Sequence, residues 1–299
     1  MVSAIITTHN RSNLLDRAIN SVLSQSYIDL ELVVVSDGST DDTDELMKKY
    51  ASNTRVRYIS YHPGHGGNYA RNLGIKNANG EYVAFLDDDD EWMPDKIEKQ
   101  LKKINEDPDI VLVYTGVHII YVNEQIEYSS IPRTCGDLSK RLLIDNIVGS
   151  TSTPLIRKSV LDKSGFFDEH LAALQDYDLW IRISLYGKIQ VVPEELIKYY
   201  NYTNSKQVSA VTDKYVKAFE LINSKYADRL KSLTLKERML REYSQYFLLG
   251  NKAMRNHNSR ESRTYFRKAI RTRPNPKAML YWFLTFFSFK TVLKLRSFI

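Results

Sequence analysis

Through the first hundred positions, short apolar runs rich in β-branched residues alternate with segments whose apolar positions recur at helical spacing. Val2–Thr7 predicts a strand, and Leu14, Leu15, Ala18, Ile19, Val22 and Leu23 predict the helix after it. Leu30–Val35 reads as a second strand. Ser39, with Asp42 three residues on, predicts a capped helix running to about Tyr50. Val56–Ser60 is a third strand; Gly64, Gly66 and Gly67 then make a turn into a helix from about Tyr69 to Asn77. Tyr82–Leu86 is a fully apolar fourth strand, and Pro94 sits where a first-turn helix proline belongs, with Ile97, Leu101 and Ile104 on one face. Strands separated by single helices imply parallel pairing and right-handed crossovers, hence an open, doubly wound α/β sheet.

After about Ile110 the pattern loosens. Val111–Tyr114 and Val117–Val122 read as two strands, Leu138–Ile144 as a helix and Ser152–Ile156 as a strand. A helix from about Tyr177 to Tyr186 and strands near Gln190 and Leu196 follow. Beyond about Ser205 the chain reads as wholly helical. Leu235–Gly250 and Arg260–Ile270 form a helix pair closed by Pro274, either one tetratricopeptide-like hairpin or part of a plain bundle. Ala278–Phe289 is an apolar, aromatic run of 12 residues, where a spanning helix needs about 20. With Lys290, Lys294 and Arg296 interleaved among Val292, Leu293, Leu295 and Phe298, it predicts a helix lying in the headgroup region of an anionic leaflet. A core helix or a dimer contact is the alternative.

Composition adds limits. With 43% hydrophobic and 26% charged residues over 299 positions, the chain is globular rather than disordered or collagen-like. The single cysteine, Cys135, excludes an internal disulfide framework and a cysteine-based zinc site. Met1–Thr8 lacks the pattern of a signal peptide, so a reducing cytoplasm is the expected compartment. The formal net charge of +6 hides an asymmetry: Lys225–Ile299 carries +14 and the preceding residues −8. Two modules with different partners are expected. A nucleic acid and an anionic membrane both attract such a tail, but no base-reading or stacking signature is present, so nucleic acid is not an expected partner.

Open α/β sheets bind ligands beyond the carboxyl ends of their strands. The second strand runs into Ser36-Asp37-Gly38-Ser39-Thr40-Asp41 and the fourth into Asp87-Asp88-Asp89-Asp90. The first sequence also suits an ordinary turn. Four adjacent carboxylates after an apolar strand repel one another unless a cation is present, and hard oxygen ligands suit Mg2+ or Mn2+, which would normally also hold a diphosphate. Strand-like alternation would put Asp87 and Asp89 on one side. The six histidines show no metal-ligand spacing, and His62 and His65, in a glycine loop, are expected to be exposed.

Six segments in order resemble family 2 glycosyltransferases, inverting enzymes of the GT-A fold, over about residues 2–205. They are Ile6-Thr7-Thr8-His9-Asn10-Arg11, the Asp37 turn, Gly67-Asn68-Tyr69-Ala70-Arg71-Asn72, Phe85-Leu86-Asp87-Asp88-Asp89-Asp90, Gly165-Phe166-Phe167-Asp168-Glu169 and Gln175-Asp176-Tyr177-Asp178-Leu179-Trp180. The resemblance implies a GT-A catalytic domain over 1–205, with a nucleotide-binding half to about 110 and an acceptor half over 111–205. A basic helical region over 206–299 follows it. It implies nucleotide contacts from Thr8, Asn10, Arg11, Asp37, Arg71, Asp87 and Asp88, with Asp37 on the uracil of a UDP-sugar. It further implies a Mn2+ or Mg2+ ion on Asp87 and Asp89, with Asp90 behind them, and Asp176 as the base. The residues of Asp176's own segment also suit a helix N-cap.

The chain departs from the family pattern in two places. Where relatives carry Glu-Asp it has Gln175-Asp176, and the stretch Tyr199-Tyr200-Asn201-Tyr202-Thr203 lacks the histidine that many relatives use as a further metal ligand. The processive-synthase Gln-x-x-Arg-Trp motif is absent too, which favours single additions. The resemblance implies transfer from a UDP-sugar to a cell-surface glycan or lipid-linked acceptor, by a protein peripheral on the inner face of the cell membrane; an oligomer is compatible with the sequence. Two other readings are a sugar-1-phosphate nucleotidyltransferase and an inactive, membrane-bound adaptor with a transferase fold.

Overall fold

The computed structural model describes residues 1–202 and 212–296. The first half alternates as the periodicity predicts: β1 (Val2–Thr8), α1 (Ser12–Leu23), β2 (Leu30–Asp37), α2 (Thr43–Lys48), β3 (Val56–Tyr61), α3 (Gly67–Asn77) and β4 (Tyr82–Asp87). A two-residue strand β5 (Glu91–Trp92) and α4 (Lys96–Ile104) lead into the long strand β6 (Ile110–Tyr121), paired in a hairpin with β7 (Ile126–Ser130). Then come β8 (Leu155–Arg157), α5 (Lys158–Ser164), α6 (Gln175–Ile183) and β9 (Lys188–Asn201). The described helices after that are α7 (Thr212–Lys225), α8 (Ala227–Leu230), α9 (Leu235–Arg255), α10 (Ser259–Thr272), α11 (Pro276–Leu284) and α12 (Phe289–Arg296).

Among the described residues, nine strands join one sheet in the order β3-β2-β1-β4-β8-β6-β9-β5, with β7 on β6. The β3-β2-β1-β4 part is parallel; β8 runs antiparallel to both β4 and β6, and β9 returns parallel to β6. This is the GT-A arrangement that the resemblance implies: a parallel half continued by a mixed half in the same sheet. The apolar runs are continuous because both faces are covered. Along β1, Val2, Ala4 and Ile6 enter the core beneath α1 and α4, while Ile5 enters the core on the other face. There α3 lies so close that a Cβ on Gly74 would stand 2.5 Å from Ile5 Cγ2.

That second core also takes Trp180 and Tyr177 of α6, Tyr215 and Phe219 of α7, and Leu249 of α9. The sheet and the C-terminal helices thus share one hydrophobic core, although their charge differs sharply. The expected boundary near Ser205, the position of Thr203 and that of Phe298 lie outside the described residues.

Several expectations are corrected. Val111–Tyr114 and Val117–Val122 are one strand, and so are the runs at Gln190 and Leu196; register irregularities near Thr115 and Gly116 explain the broken alternation. Leu138–Ile144 holds only a short 3-10 turn at Arg141–Leu143. The strand expected from Ser152 starts at Leu155, because Ser152 and Thr153 spend their side chains on loop contacts. Pro94 precedes α4 rather than opening it, since Asp95 is its N-cap, and Ser39 does not cap α2, whose N-cap is Asp42.

Thr234 and Glu237 form a reciprocal capping box at the start of α9. Helices α9 and α10 form the expected hairpin, in which Ser262 Oγ donates to the Gly250 carbonyl at 2.9 Å. The aromatic run does two things. Tyr281, Leu284, Phe289, Val292 and Leu293 pack with Tyr121, Met254 and Phe266, while Met279, Leu280, Phe283, Phe286 and Phe287 stay exposed. The core-helix reading therefore holds for one side of these helices. Among the described residues no helix is long and apolar enough to cross a membrane.

Candidate active site

The carboxyl ends of β1, β2 and β4 and the N-terminal turn of α3 open on one cleft. Asp37 closes β2, and its carboxylate is caged: Oδ1 accepts from the Tyr61 hydroxyl (2.9 Å) and the His65 amide (2.7 Å), and Oδ2 from the Gly66 amide (2.9 Å). Gly38 follows at φ 67°, where any Cβ would lie 2.5 Å from the Gly64 nitrogen; only glycine lets the two loops touch. His65 is exposed as expected, but its ring lies against Tyr61 and Tyr69, at 5.7 and 4.8 Å between centroids. Neither periodicity nor motif pointed to that aromatic cluster. Asn10, at φ 54°, ties the β1–α1 loop to the Asp37 turn: its amide donates to Ser39 Oγ (3.1 Å) and its side-chain oxygen accepts from the Thr40 amide (2.7 Å).

The four carboxylates after β4 do not alternate like a strand. Asp87 ends the strand, and the Asp90 amide donates back to the Asp87 carbonyl at 3.0 Å, closing a turn. Each acid therefore meets its own surroundings, with Arg11 shared between Asp88 and Asp89. Asp87 pairs with Arg71 at 2.9 Å and accepts from Thr151. Buried Asp88 accepts from Thr8 Oγ1 (2.7 Å) and pairs with Arg11 (2.9 Å), which also reaches Asp89 (3.2 Å). Asp90, fully buried, accepts from Ser152 Oγ (2.7 Å) and the Tyr200 amide (3.2 Å). Burial raises the affinity of Asp88 for its proton despite Arg11. Burial and the neighbouring charges of Asp87 and Asp88 push Asp89 up to about 6, and Asp90 is raised well above the usual carboxylate range.

Among the described residues no three His, Cys, Asp or Glu side chains converge to hold a metal. Asp87 and Asp89 nonetheless fit a hard cation. They are two oxygen donors whose crowding a positive charge would relieve, and Mg2+ commonly takes one or two carboxylates with the rest of its shell from phosphates and water. Thr151, Ser152 and the Tyr61–His65–Tyr69 cluster are site residues that the sequence reading missed. The polar run Gly149–Thr153 was the available signal for the first two.

Asp176 lies within electrostatic reach of Arg71 and Asp87 and is not the N-cap of α6. That position belongs to Leu174, held at φ 58°, a left-handed backbone that costs a branched residue about 1–3 kcal/mol. Asp176 is the second residue of the helix, and its Oδ1 accepts from the Tyr177 amide at 2.7 Å. Burial lifts it to about 6; the Tyr177 amide and Arg71 act against that, and Asp87 adds to it. Asp87, Arg71 and Asp176 therefore feel one another's charge. Asp178, two residues on, is a buried structural acid paired with Arg182 and Lys225.

The third and fifth of the six segments also meet directly. Asn68 Nδ2 donates to the Asp168 and Leu171 carbonyls at 2.9 and 2.8 Å. Asn72 donates to the Phe167 carbonyl at 3.0 Å and accepts from the Phe167 amide at 2.9 Å. The Gly165–Glu169 turn thus clamps α3, and Phe167 lies beneath the Arg71 guanidinium at 5.6 Å.

The chain is similar to known proteins in sequence and in fold. The family model for glycosyl transferase family 2 matches residues 3–165. An uncharacterized glycosyltransferase of Rickettsia prowazekii is 31% identical over 260 residues, covering 85% of this chain and 79% of the relative. Among solved structures, S. aureus TarS 1-349 in complex with UDP-GlcNAc superposes with a TM-score of 0.60 at 17% identity, covering 95% of this chain and 79% of that one. The mannosyltransferase PcManGT from Pyrobaculum calidifontis, in complex with GDP-Man and Mn2+, gives 0.61 at 14% identity, covering 99% and 86%.

The clamp yields a stability test. Asn72→Ala strands the buried Phe167 amide and carbonyl, so it should cost about 1–3 kcal/mol, measured by urea denaturation. A variant as stable as the parent would show that the turn holds α3 without this side chain.

Proposed function

Because the chain belongs to glycosyl transferase family 2, we propose that it moves a sugar from a UDP-sugar to a hydroxyl of a cell-surface glycan or lipid-linked acceptor, with inversion. The observation that carries this reading is that Arg71 pairs with Asp87 while both act on Asp176, so a cation, an acid and a candidate base face one cleft. Asp37 suits a uracil. A carboxylate has about four acceptor sites, and the three hydrogen bonds it accepts leave one to receive the imide N–H. No side chain caps α3, which leaves its first-turn amides and the positive end of its dipole to a diphosphate. The nucleotide sugars present in TarS and PcManGT, and the Mn2+ of the latter, are consistent with such a donor and a divalent ion here.

In this reading Thr8, Asn10 and Arg11 shape the nucleotide side with Asp37, Asp87 and Asp88. Asp87 and Asp89 would hold Mn2+ or Mg2+, which when bound supplies positive charge beside the diphosphate. Asp176 accepts the proton of the acceptor hydroxyl as its oxygen bonds to the anomeric carbon from the face opposite the diphosphate. The bond from that carbon to the diphosphate oxygen breaks, and its electron pair leaves on the nucleoside diphosphate, beside Arg71. Gln175, in place of a carboxylate, leaves the base itself present. Family membership sets aside the nucleotidyltransferase reading, and the meeting of Asp37, Asp87, Asp89 and Asp176 at one cleft argues against an inactive adaptor.

We read residues 1–205 as the catalytic portion and 206–299 as the basic region that meets the membrane. The exposed rings of Phe283, Phe286 and Phe287, beside a chain segment of +14, support peripheral contact with an anionic leaflet.

Asp89→Asn should abolish the Mn2+ dependence of UDP binding in calorimetric titrations, because it removes an anionic oxygen from a hard cation; unchanged metal dependence would reject the Asp87/Asp89 assignment. Asp176→Asn should leave UDP affinity nearly intact and lower transfer by about 10²–10⁴-fold. The base must be ionised to accept a proton, so wild-type kcat/KM should fall as pH drops through about 6, and this acid limb should vanish in the variant's residual activity. A limb that survives belongs to another group. Replacing Phe283, Phe286 and Phe287 together by Ser spares the packed side of the helices. It should release the protein from phosphatidylglycerol vesicles with the melting temperature unchanged. Pelleting equal to wild type at two salt concentrations would exclude a membrane role for this face.

A further inference from the structure

A second cleft of about 190 Å³ opens beside the site, between the ends of β6 and β9 and helices α9 and α12. Its walls include Tyr121, Tyr199, Asn251, Lys252, Arg255 and Phe289, and among the described residues no acidic side chain lines it. Resting on the transferase reading above, we propose that this cleft is the acceptor subsite and that Lys252 and Arg255 recognise an anionic group, carboxylate or phosphate, on the acceptor glycan.

Two cations share this cleft. Lys252 has no ion-pair partner among the described residues; its ammonium lies 4.6 Å over the Tyr215 ring. Burial, and then the charge of Arg255, lower its pKa to about 8. A buried ammonium with no ion-pair partner among the described residues, in a partly enclosed space whose described lining holds no carboxylate, favours an incoming anion. The cleft also adjoins the chemistry. Lys252 and Asp176 act on each other's charge, and Tyr199 feels Asp90 and Asp89.

Its position separates it from the donor. Asp37 and Arg11 sit at the ends of β2 and β1, whereas this cleft lies toward β6 and β9, beyond β4 and β8 in the sheet order. An acceptor must approach from the side of the base that deprotonates it. Tyr121, Tyr199 and Phe289 offer apolar faces to a sugar ring, with few polar groups to fix it, as in most small-molecule sites.

The test is a saturation-transfer NMR titration of full-length protein, with and without saturating UDP and Mn2+. Methyl glucuronide is compared with methyl glucoside, and glycerol 1-phosphate with glycerol; the two pairs distinguish carboxylate from phosphate. At least one anionic probe should bind about tenfold more tightly than its neutral twin, the worth of one charge-assisted hydrogen bond. Raising salt should weaken that preference, Lys252→Gln should remove it, and Lys252→Arg should keep it, with UDP affinity unchanged throughout. The proposal is overturned if wild type prefers neither anion, if the preference survives in Lys252→Gln, or if Lys252→Gln weakens UDP instead, which would assign the cations to the donor diphosphate. Failure of wild type to bind UDP would defeat the donor reading alone, and the titration without UDP still decides the cleft.

Discussion

Four consecutive carboxylates at the end of a buried strand are the constraint around which this site is arranged. Side by side in a protein interior they cannot all be charged without compensation. The chain meets this by turning sharply after Asp87, so that the acids fan out to several sources of positive charge and hydrogen bonds, Arg11 serving both Asp88 and Asp89. Arg11 comes from the loop after β1, Arg71 from α3, Thr151 and Ser152 from the loop before β8, and the Tyr200 amide from β9. Elements far apart in sequence are held together by the need to neutralise one turn. Burial and the neighbouring carboxylates still leave Asp89 and Asp90 with a raised affinity for protons, a crowding of charge that a cation would relieve.

Helix α3 ties this turn to the rest of the cleft. The Gly66 amide at its start holds Asp37, Arg71 one turn later holds Asp87, and Asn68 and Asn72 hold the Gly165–Glu169 turn. The opposite face of the helix sits on β1 through Gly74. A shift of α3 would therefore disturb the Asp37 cage, the acidic turn and the approach to Asp176 together. That explains why the six segments form one recognisable set although they are scattered over some 175 positions of the chain.

The parallel half of the fold was legible because its strands are buried on both faces and bounded by glycine- and aspartate-rich turns, which leave a clear mark in sequence. The mixed half was not. Within β6 and β9 the register slips near Gly116, so alternation breaks and one long strand reads as two. The two-residue β5 is too short for any period. Of the site, the charged residues were legible, since Asp, Arg and glycine clusters at strand ends have few structural uses. The residues that orient them were not: Thr151, Ser152 and Tyr61 are common polar residues whose role depends on contacts across 24 to 65 positions. The N-cap reading of Asp176 failed because Leu174, with no capping side chain, starts the helix in a left-handed conformation that no propensity would assign to it.

The charge asymmetry of the chain gains a meaning from the packing. Taken as a sequence, an acidic front and a basic tail read as two modules, yet α7 and α9 bury Tyr215, Phe219 and Leu249 in the core of the sheet. The basic segment is thereby brought up to the acidic cleft. Lys252 reaches the electrostatic field of Asp176 from a helix that the family match, ending at residue 165, does not include. A cation at that distance tends to keep the carboxylate ionised and opposes the effect of its burial, so the helical region bears on the proton affinity of the candidate base as well as on the shape of the neighbouring cleft. The part of the chain that varies most in composition from the rest is in this way a wall of the site.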